Sequence, residues 1–411
     1  MGSEGDRAVS GNEGIVEAPG ARGVELAELS PRQSDNTREI SRIHVPALDG
    51  LRGLAIALVL LTHLLQLSPV SKLDRIVVKL ADTGRHGVDL FFVLSGFLIT
   101  GILLDTRSKP RYFLNFYGRR TLRIFPLYYC SLAVVFFVLP LLGIVQWSDL
   151  SPLRRYEWAL WAYCSNIVIA ARHAWILDSG PVSLDHFWSL AVEEQFYLVW
   201  PLIIALLRRK ALINLCITLI VLAAVLRSVL AIGGAAEISI MVLTPCRLDT
   251  LAIGALIALL VRERGGIGAL APRARTAFWG SLIALPICFG FHVVNDAAAQ
   301  SISYSLLALF FGSLLVMTIS APGDSRISRI FSSRVMRFLG KYSYGLYVIH
   351  ALAVPAFNKY FGVGLLSGSF GGRYAAAIVY LVLSCALSCG AAVLSWNLLE
   401  QPFLRLKRVF E

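Results

Sequence analysis

Charged residues are scarce in this chain of 411 residues. Asp, Glu, Lys and Arg together make up 16% of it, hydrophobic residues make up 56%, and the mean hydropathy is +0.68. This balance excludes an ordinary soluble domain, which carries about 25% charged residues, and is typical of a polytopic membrane protein. Among the charged residues, the acidic ones are fewer, with 26 against 38 basic residues. The basic residues form short clusters between apolar runs, which membrane topology explains better than a nucleic-acid partner does.

Cysteine is sparse as well. The seven cysteines are scattered and lie mostly within apolar runs, so we expect packing residues and neither a disulfide framework nor a metal site. Residues 1–44 contain no sustained apolar stretch, so we expect no cleavable signal peptide and interpret them as a disordered cytoplasmic tail. No internal repeat of the kind found in transporters is evident.

Long apolar runs, in contrast, are abundant. Crossing about 30 Å of hydrocarbon takes about 20 helical residues. The sequence therefore predicts an all-α, polytopic transmembrane bundle of about ten spans. A further run at 158–171 is shorter and more aromatic, so we interpret it as an interfacial or re-entrant piece of a loop. The ten runs begin near residues 48, 88, 124, 187, 211, 243, 276, 302, 342 and 374.

The basic clusters orient this bundle. With ten spans and a cytoplasmic N-terminus, nearly every dense cluster of Lys and Arg falls inside, as the positive-inside rule requires. We therefore expect an integral membrane protein with a cytoplasmic N-terminus. One loop does not fit, because residues 68–86 carry Lys72, Arg75, Lys79 and Arg85 on the predicted outer side.

Three ionisable residues stand in the first span, "LDGLRGLAIALVLLTHLLQL". Arg52 and His63 are eleven residues apart, so they share a helix face and lie about 16 Å apart along the axis, with Asp49 near the same stripe. His63 would either pack against a neighbouring helix or act chemically. The cost of a charge-capable side chain at that depth favours a functional role.

The second span, "GRHGVDLFFVLSGFLITG", begins with Asp89. This carboxylate would either orient a histidine or cap the helix, while Ser95 and Gly96 permit close helix packing.

Three arginines precede the third span, in "GRRTLRIFPLYY". Arg119, Arg120 and Arg123 have helical spacing and predict a cationic face at the cytoplasmic entrance. Positive-inside anchoring explains part of this pattern. Three guanidinium groups also suit a ligand with several phosphates.

Carboxylates also open the fourth and sixth spans. Glu193 and Glu194 in "DHFWSLAVEEQFYLVWP" point about 100° apart, so we expect at most one of them to face a given site. In "PCRLDTLAIGALIALL", Arg247 and Asp249 lie in the outer third. The purely structural alternative pairs Arg247 with Glu194 or Asp249.

The ninth span, "GKYSYGLYVIH", carries Ser343, Tyr347 and His350 on one face, as expected for a helix that lines a cavity. The predicted topology places polar groups at both ends of the bundle, with a central polar tunnel between them. The predicted inner end contains Arg52 and the three arginines of the third span. The predicted outer half contains His63, Asp89, Glu194, Arg247 and Asp249.

These motifs, in this order, resemble the acyltransferase 3 family of integral-membrane acyltransferases. The resemblance covers about residues 45–405, leaving 406–411 as a short cytoplasmic tail. Its motifs are Arg52-x10-His63, "GVDLFFVLSGFLI", "RRTLRIFP", "FWSLAVEEQFYL", "RLDTLAIG", "GKYSYGLYVIH" and "EQPF". The resemblance implies transfer of an acyl group, typically acetyl, from cytoplasmic acyl-CoA to an extracytoplasmic glycan or lipid-linked saccharide. It also implies that the protein lies in the bacterial inner membrane.

The resemblance also implies roles for residues. His63 is the catalytic candidate and Arg52 its partner in the motif. The CoA end would be served by Arg119, Arg120 and Arg123, and the polar interior by Glu194, Arg247 and Asp249. Some family members add an outer SGNH-type domain; without one, a second acyl-handling step would need a partner protein.

The expected mechanism is direct transfer. Neutral His63 would remove a proton from the acceptor hydroxyl as it attacks the thioester, and Asp89 or Glu194 would fix the tautomer of the imidazole. An acyl-His63 intermediate is an alternative. Two other functions use the same residues: a transporter of a polar or anionic solute, and a non-catalytic sensor of acyl-CoA.

Overall fold

The computed structural model describes residues 46–292, 297–370 and 372–410; the predicted tail at 1–44 lies outside them. These residues are largely helical, and the only β-pairing among them is an isolated bridge between Asp178 and Ser183. Ten helices have 17 to 27 residues. Eight begin within five residues of a predicted position, whereas α3 begins 12 residues and α7 begins 10 residues before the predicted one. They are α1 (Pro46–Leu64), α2 (Gly87–Thr106), α3 (Tyr112–Ala133), α4 (Phe187–Leu206), α5 (Arg209–Ile232), α6 (Thr244–Leu260), α7 (Gly266–His292), α8 (Ala297–Ile319), α9 (Ser343–Phe361) and α10 (Arg373–Ser395).

The predicted fold class is confirmed. Within the described ranges, eight helices are both long and apolar enough to cross a membrane. The other two long helices, α7 and α9, contain 27 and 19 residues, so they share the necessary length. The chain is therefore a polytopic α-helical membrane protein of roughly ten spans.

The aromatic run at 158–171 does not form an eleventh span. It is divided between two short helices, Glu157–Trp161 and Ser165–Arg172, which contain 5 and 8 residues. Tyr163, between them, has a φ of 52°, which breaks the helical path. Neither piece is long enough to cross the hydrocarbon, as predicted.

Two short helices outside the spans bear on the site. The surface helix (Lys72–Asp82) precedes α2 and is joined to it by the 3₁₀ turn Thr83–His86. The basic helix (Arg334–Lys341) precedes α9; its N-cap, Ser333, accepts a hydrogen bond from the Met336 amide.

The packing of α2 against α6 determines the surroundings of the polar residues. A Cβ on Gly96 of α2 would collide with the Leu251 carbonyl of α6, and a Cβ on Gly254 of α6 with the Val93 carbonyl. Only glycine permits this approach of the two backbones, as predicted for Gly96. The close contact places the first turn of α2 beside that of α6.

The end of the chain packs back onto the bundle. After α10, the helix continues through Trp396–Glu400 and Gln401–Arg405 into the 3₁₀ segment Leu406–Phe410. The Phe410 carbonyl accepts a hydrogen bond from Arg119 Nε at 3.0 Å. The segment predicted as a simple tail thus contacts α3.

Candidate functional site

Three adjoining cavities lie along the bundle and contain most of the predicted site residues. We name them the basic, central and histidine cavities, with volumes of about 590, 270 and 340 Å³. The basic and central cavities share Arg52 and Arg123, and the central and histidine cavities share Val88 and Tyr347. This series of cavities corresponds to the predicted polar tunnel.

The basic cavity is strongly cationic. α1 supplies Asp49 and Arg52, which lie 3.8 Å apart (Oδ1 to Nη1), and α3 supplies Arg123. With the residues of the basic helix, its lining contains five cationic side chains and one carboxylate, a formal charge of +4. The basic helix contributes Arg334, Arg337 and Lys341.

The contribution of the basic helix was not predicted as part of a site. Its cations have spacings of three and four residues, as Arg119, Arg120 and Arg123 do. In the sequence they were interpreted only as a cytoplasmic anchoring cluster. The helical spacing of these cations was the signal that could have identified a cationic helix face, beyond a general positive-inside bias.

The three arginines predicted to share one face lie within α3, but they do not share one environment. Arg120 and Arg123 line the central cavity, whereas Arg119 donates to the Phe410 carbonyl. Adjacent residues on a helix point about 100° apart, so Arg119 and Arg120 face different surroundings. The prediction of a single compact face holds for two of the three residues.

Both carboxylates of α4 line the central cavity, so the expectation that at most one would face a given site is wrong. Arg120 lies beside Glu194, with its Nε 3.9 Å from Glu194 Oε1. The guanidinium carbon of Arg120 lies 3.7 Å from the Tyr197 ring centroid. Glu193 receives hydrogen bonds from Ser95 and Tyr197. Glu194 therefore belongs with the arginines, not with His63 as predicted.

The central cavity retains unsatisfied hydrogen-bonding capacity. Arg120 Nε and Glu194 Oε1 are buried without a hydrogen-bond partner. Buried polar atoms generally have partners, so an unpaired donor beside an unpaired acceptor favours a polar ligand. The cavity contains four cationic side chains against two carboxylates, a formal charge of +2. The cations are Arg52, Arg120, Arg123 and Lys407.

His63, at the far end of α1, lines the histidine cavity, and its hydrogen bonds determine its tautomer. Its Nδ1 lies 3.0 Å from the Val59 carbonyl oxygen. A carbonyl only accepts, so Nδ1 carries the proton and Nε2 keeps a lone pair. The imidazole is thus held in the form that can act as a base.

A second histidine supports this arrangement. His350 Nε2 lies 3.4 Å from His63 Nδ1, and the two ring centroids are 5.0 Å apart. The Nδ1 of His350 lies 2.9 Å from the Leu346 carbonyl, which places its proton there and leaves Nε2 as an acceptor. His63 Nδ1–H therefore faces two acceptors, and His350 is fully buried behind it.

His186 completes a cluster of three histidines and was missed in the sequence. Its ring centroid is 5.6 Å from that of His350, and its Nε2 lies 3.2 Å from the Val348 carbonyl. Its buried Nδ1 has no hydrogen-bond partner. In the sequence, His186 was one of four ionisable residues at the start of the fourth span, but only the carboxylates Glu193 and Glu194 were assigned to the site.

The polar face of α9 was predicted correctly. Ser343 and Tyr347 line the central cavity, and His350 meets His63. The Tyr347 hydroxyl donates to the His186 carbonyl at 3.0 Å and also contacts the Ser189 hydroxyl. Tyr347 therefore separates the central cavity from the histidine cavity.

The expected carboxylate partner of His63 is not observed. The polar contacts of its ring are the Val59 carbonyl and His350, not Asp89 or Glu194. Asp89 lines the same cavity, but it pairs with Arg247 and lies 3.2 Å from His86 Nδ1. The Arg247 guanidinium carbon lies 4.5 Å from the Tyr304 ring centroid.

Arg247 therefore pairs with neither Glu194 nor Asp249, which corrects the structural alternative. Asp249 pairs instead with Arg227 of α5 at 2.7 Å, and both side chains are fully buried. Residues two apart on a helix point about 200° apart, so Arg247 faces α2 and Asp249 faces α5. Asp249 lies outside the three cavities.

Asp185, which lines the histidine cavity, is outside the spans. It accepts a hydrogen bond from the Leu177 amide at 2.9 Å. Burial raises the pKa of its carboxyl group to about 6. Among the described residues, no group of three or more His, Cys, Asp or Glu side chains could hold a metal ion.

The fold and the cavities thus define a polytopic membrane protein with three adjoining cavities, ordered from a basic end to a histidine end. A family model described as an acyltransferase domain matches residues 45–396, and the chain belongs to this acyltransferase family. No solved structure matches the chain significantly.

Three curated relatives illustrate the similarity. The chain is 32% identical to a peptidoglycan O-acetyltransferase OatA of Listeria monocytogenes, over 76% of this chain and 50% of the relative. It is 30% identical to a putative peptidoglycan O-acetyltransferase YrhL of Bacillus subtilis, over 87% and 55%. It is 25% identical to an O-acetyltransferase OatA of Staphylococcus aureus, over 87% and 57%. The chain therefore spans about half the length of these relatives.

Proposed function

We propose that this chain is a membrane O-acetyltransferase that moves an acetyl group from acyl-CoA to a hydroxyl group of a cell-wall glycan, with His63 as general base. The observation that carries this proposal is the state of His63. Its Nδ1 is committed to the Val59 carbonyl, so Nε2 is free to accept a proton in a cavity that adjoins an arginine-lined path.

The donor would bind from the basic end. CoA carries a diphosphate and a 3′-phosphate, and guanidinium groups bind phosphate oxygens bidentately. The formal charge of +4 on the basic cavity suits these groups. The pantetheine arm would then pass through the central cavity, where its amides fit the unpaired Arg120 Nε and Glu194 Oε1.

The reaction would take place beside His63. The acceptor hydroxyl loses its proton to His63 Nε2 as its oxygen attacks the thioester carbonyl carbon. The C–S bond then breaks, the acetyl ester remains on the acceptor, and the CoA thiolate takes the proton from the imidazolium. His350 Nε2 would stabilise the imidazolium by accepting from Nδ1–H. Arg52 lies about 16 Å away along α1, so its role would be at the donor.

The proposed orientation places the N-terminus and the basic cavity in the cytoplasm of a bacterium and the histidine cavity outside. The positive-inside bias of the Lys and Arg clusters supports it. The acceptor would then be extracytoplasmic, in the wall or linked to lipid. The names of the two peptidoglycan O-acetyltransferases above support a cell-wall glycan.

The test uses the full chain in lipid nanodiscs with acetyl-CoA labelled in the acetyl group and a muropeptide or lipid-linked disaccharide as acceptor. Wild type should place label on the glycan. His63→Ala should reduce transfer by about 100-fold or more, as expected for loss of a general base. A matched control is His173→Ala, because this exposed histidine lies outside the cavities and bonds Ser239.

Transfer at the wild-type rate by correctly folded His63→Ala would contradict the proposal. Thermal unfolding of each variant separates a catalytic loss from a folding defect. Solute uptake into proteoliposomes without labelled glycan would indicate the transporter instead, and acetyl-CoA binding without turnover would indicate the sensor.

A further inference from the structure

The surface helix (Lys72–Asp82) explains the basic loop that contradicted the positive-inside pattern. Its outward residues form two distinct stripes. At about 100° per residue, Leu73, Ile76, Val77 and Leu80 fall within one arc of about 100°. The side chains are well exposed: Leu73 is 64% and Leu80 65% accessible. An exposed apolar stripe of this kind needs a partner.

The basic stripe lies directly beside the apolar one. Lys72, Arg75 and Lys79 fall within an arc of about 60° on the same helix. None of the three forms an ion pair with a carboxylate in the described ranges; Asp74 pairs with Arg373, and Asp82 with Arg85. An apolar stripe flanked by free cations is the pattern of a helix that lies in a membrane interface.

Contacts near both ends locate the surface helix in the bundle. Near its start, Asp74 accepts a hydrogen bond of 2.6 Å from Nη2 of Arg373, which is the first residue of α10. Near its end, the Ala81 carbonyl accepts from Thr62 Oγ1 at 2.7 Å, in the last turn of α1. Seven residues span about 10 Å, comparable to the separation of packed helix axes. The surface helix therefore contacts the neighbouring ends of two spans, at one end of the bundle.

This position is at the histidine end of the bundle. Arg373 also donates to the Ser68 carbonyl after α1, so the ends of α1 and α10 lie together there. Asp82 and Arg85, which follow the basic stripe, line the histidine cavity. The surface helix thus forms part of the rim of the cavity that contains His63.

We propose that the surface helix is an interfacial anchor that binds anionic phospholipid. Its apolar stripe would enter the acyl-chain boundary, and Lys72, Arg75 and Lys79 would bind the phosphates of the surrounding head groups. The charge complementarity favours anionic over zwitterionic lipid. This anchor holds the rim of the histidine cavity at head-group depth. The inference goes beyond the transfer reaction and does not depend on it.

The test is photo-crosslinking of the full chain in nanodiscs of phosphatidylglycerol and phosphatidylcholine mixed at about 1:3. A benzophenone amino acid replaces Leu80 on the apolar stripe or, as an internal baseline, Leu198, a 68% exposed residue of α4. Mass spectrometry gives the fraction of phosphatidylglycerol among lipid adducts at each position. We expect the fraction at Leu80 to exceed that at Leu198, with roughly fivefold enrichment at low salt.

Two charge variants, each of which removes three cations, identify the source of the enrichment. When the three cations of the surface helix are removed, the phosphatidylglycerol fraction at Leu80 should fall to the Leu198 value. It should stay enriched in the control variant, which removes three exposed cations at another part of the bundle. If the first variant does not fold, the same loss should appear in wild type at about 1 M salt, which screens the contacts. The variants are Lys72→Gln/Arg75→Gln/Lys79→Gln and Arg264→Gln/Arg273→Gln/Arg275→Gln.

Three outcomes would overturn the proposal. The first is the absence of lipid adducts at Leu80. The second is a phosphatidylglycerol fraction at Leu80 equal to that at Leu198. The third is an adduct between Leu80 and a second copy of the chain, which would identify the apolar stripe as a subunit contact.

Discussion

Breaking the buried pair between Arg227 and Asp249 should destabilise the protein strongly. Both side chains are fully buried, at 2.7 Å from each other, and Asp249 also accepts from the Thr250 amide at 2.9 Å. Replacing Arg227 by Met leaves the carboxylate buried without its counter-ion. Removal of one partner of such a pair costs about 3–5 kcal/mol.

Replacing both partners should be far less harmful. In Arg227→Met/Asp249→Leu no charge remains buried, so the main penalty disappears. The Cys246 carbonyl, which accepts from Arg227 Nη1, still loses a hydrogen bond worth about 1 kcal/mol. We therefore expect the double variant to lie within about 2 kcal/mol of wild type, closer than either single variant.

The assay follows from the free cysteines. Cys216 is fully buried and unpaired, so a thiol-reactive fluorophore labels it when the bundle opens on heating. The apparent unfolding temperature of Arg227→Met should fall by several degrees, and that of the double variant should recover. The control is Arg85→Gln, which breaks an exposed pair with Asp82 worth less than about 1 kcal/mol. A double variant as unstable as the single one would refute the reasoning.

Three further predictions concern the cavities and the packing. Asp185→Asn keeps the acceptor for the Leu177 amide. The folded-state pKa of Asp185 in wild type is raised to about 6. The protonated Asp185 carboxyl therefore contributes its full stability below about pH 4, and this contribution is lost as the pH rises through 6. Thermal unfolding should therefore show the variant to be more stable than wild type at pH 8, by up to about 3 kcal/mol, but not at pH 4, and equal curves at pH 8 would contradict this. Gly96→Ala should cost about 1–3 kcal/mol through collision with the Leu251 carbonyl, while Gly280→Ala, which meets nothing within 4 Å, should not, as the same assay will show. Arg337→Gln should raise KM for acetyl-CoA about tenfold with little change in kcat; an unchanged KM would exclude a role of the basic helix in donor binding.

The number of spans and the positions of most of them were predictable because each span depends on its own residues. A run of about 20 apolar residues must form a helix in lipid whatever surrounds it. The stripe of Ser343, Tyr347 and His350 was predictable for the same reason, since helix periodicity alone places it on one face. The role of Gly96 in close packing followed from its small size.

The pairings were not predictable because they depend on which helices are neighbours. The sequence offered Asp249 and Glu194 as partners for Arg247, and the α2–α6 contact supplied Asp89 instead. In the sequence, Arg227 lies in an ordinary apolar run, and its partner Asp249 is evident only from the packing of α5 against α6. From the sequence alone, the cations of the surface helix were only an exception to the positive-inside rule.

The sequence by itself determined a membrane bundle of about ten spans, with Arg52 and His63 on one helix, because periodicity and hydrophobicity act locally along the chain. Only the tertiary structure decided what His63 faces. Its side-chain partner is His350, 287 residues away on α9, whereas the orienting carbonyl of Val59 lies one turn earlier on α1 itself. Contacts between distant helices arise from packing of the whole bundle, and the chemistry proposed for His63 depends on them.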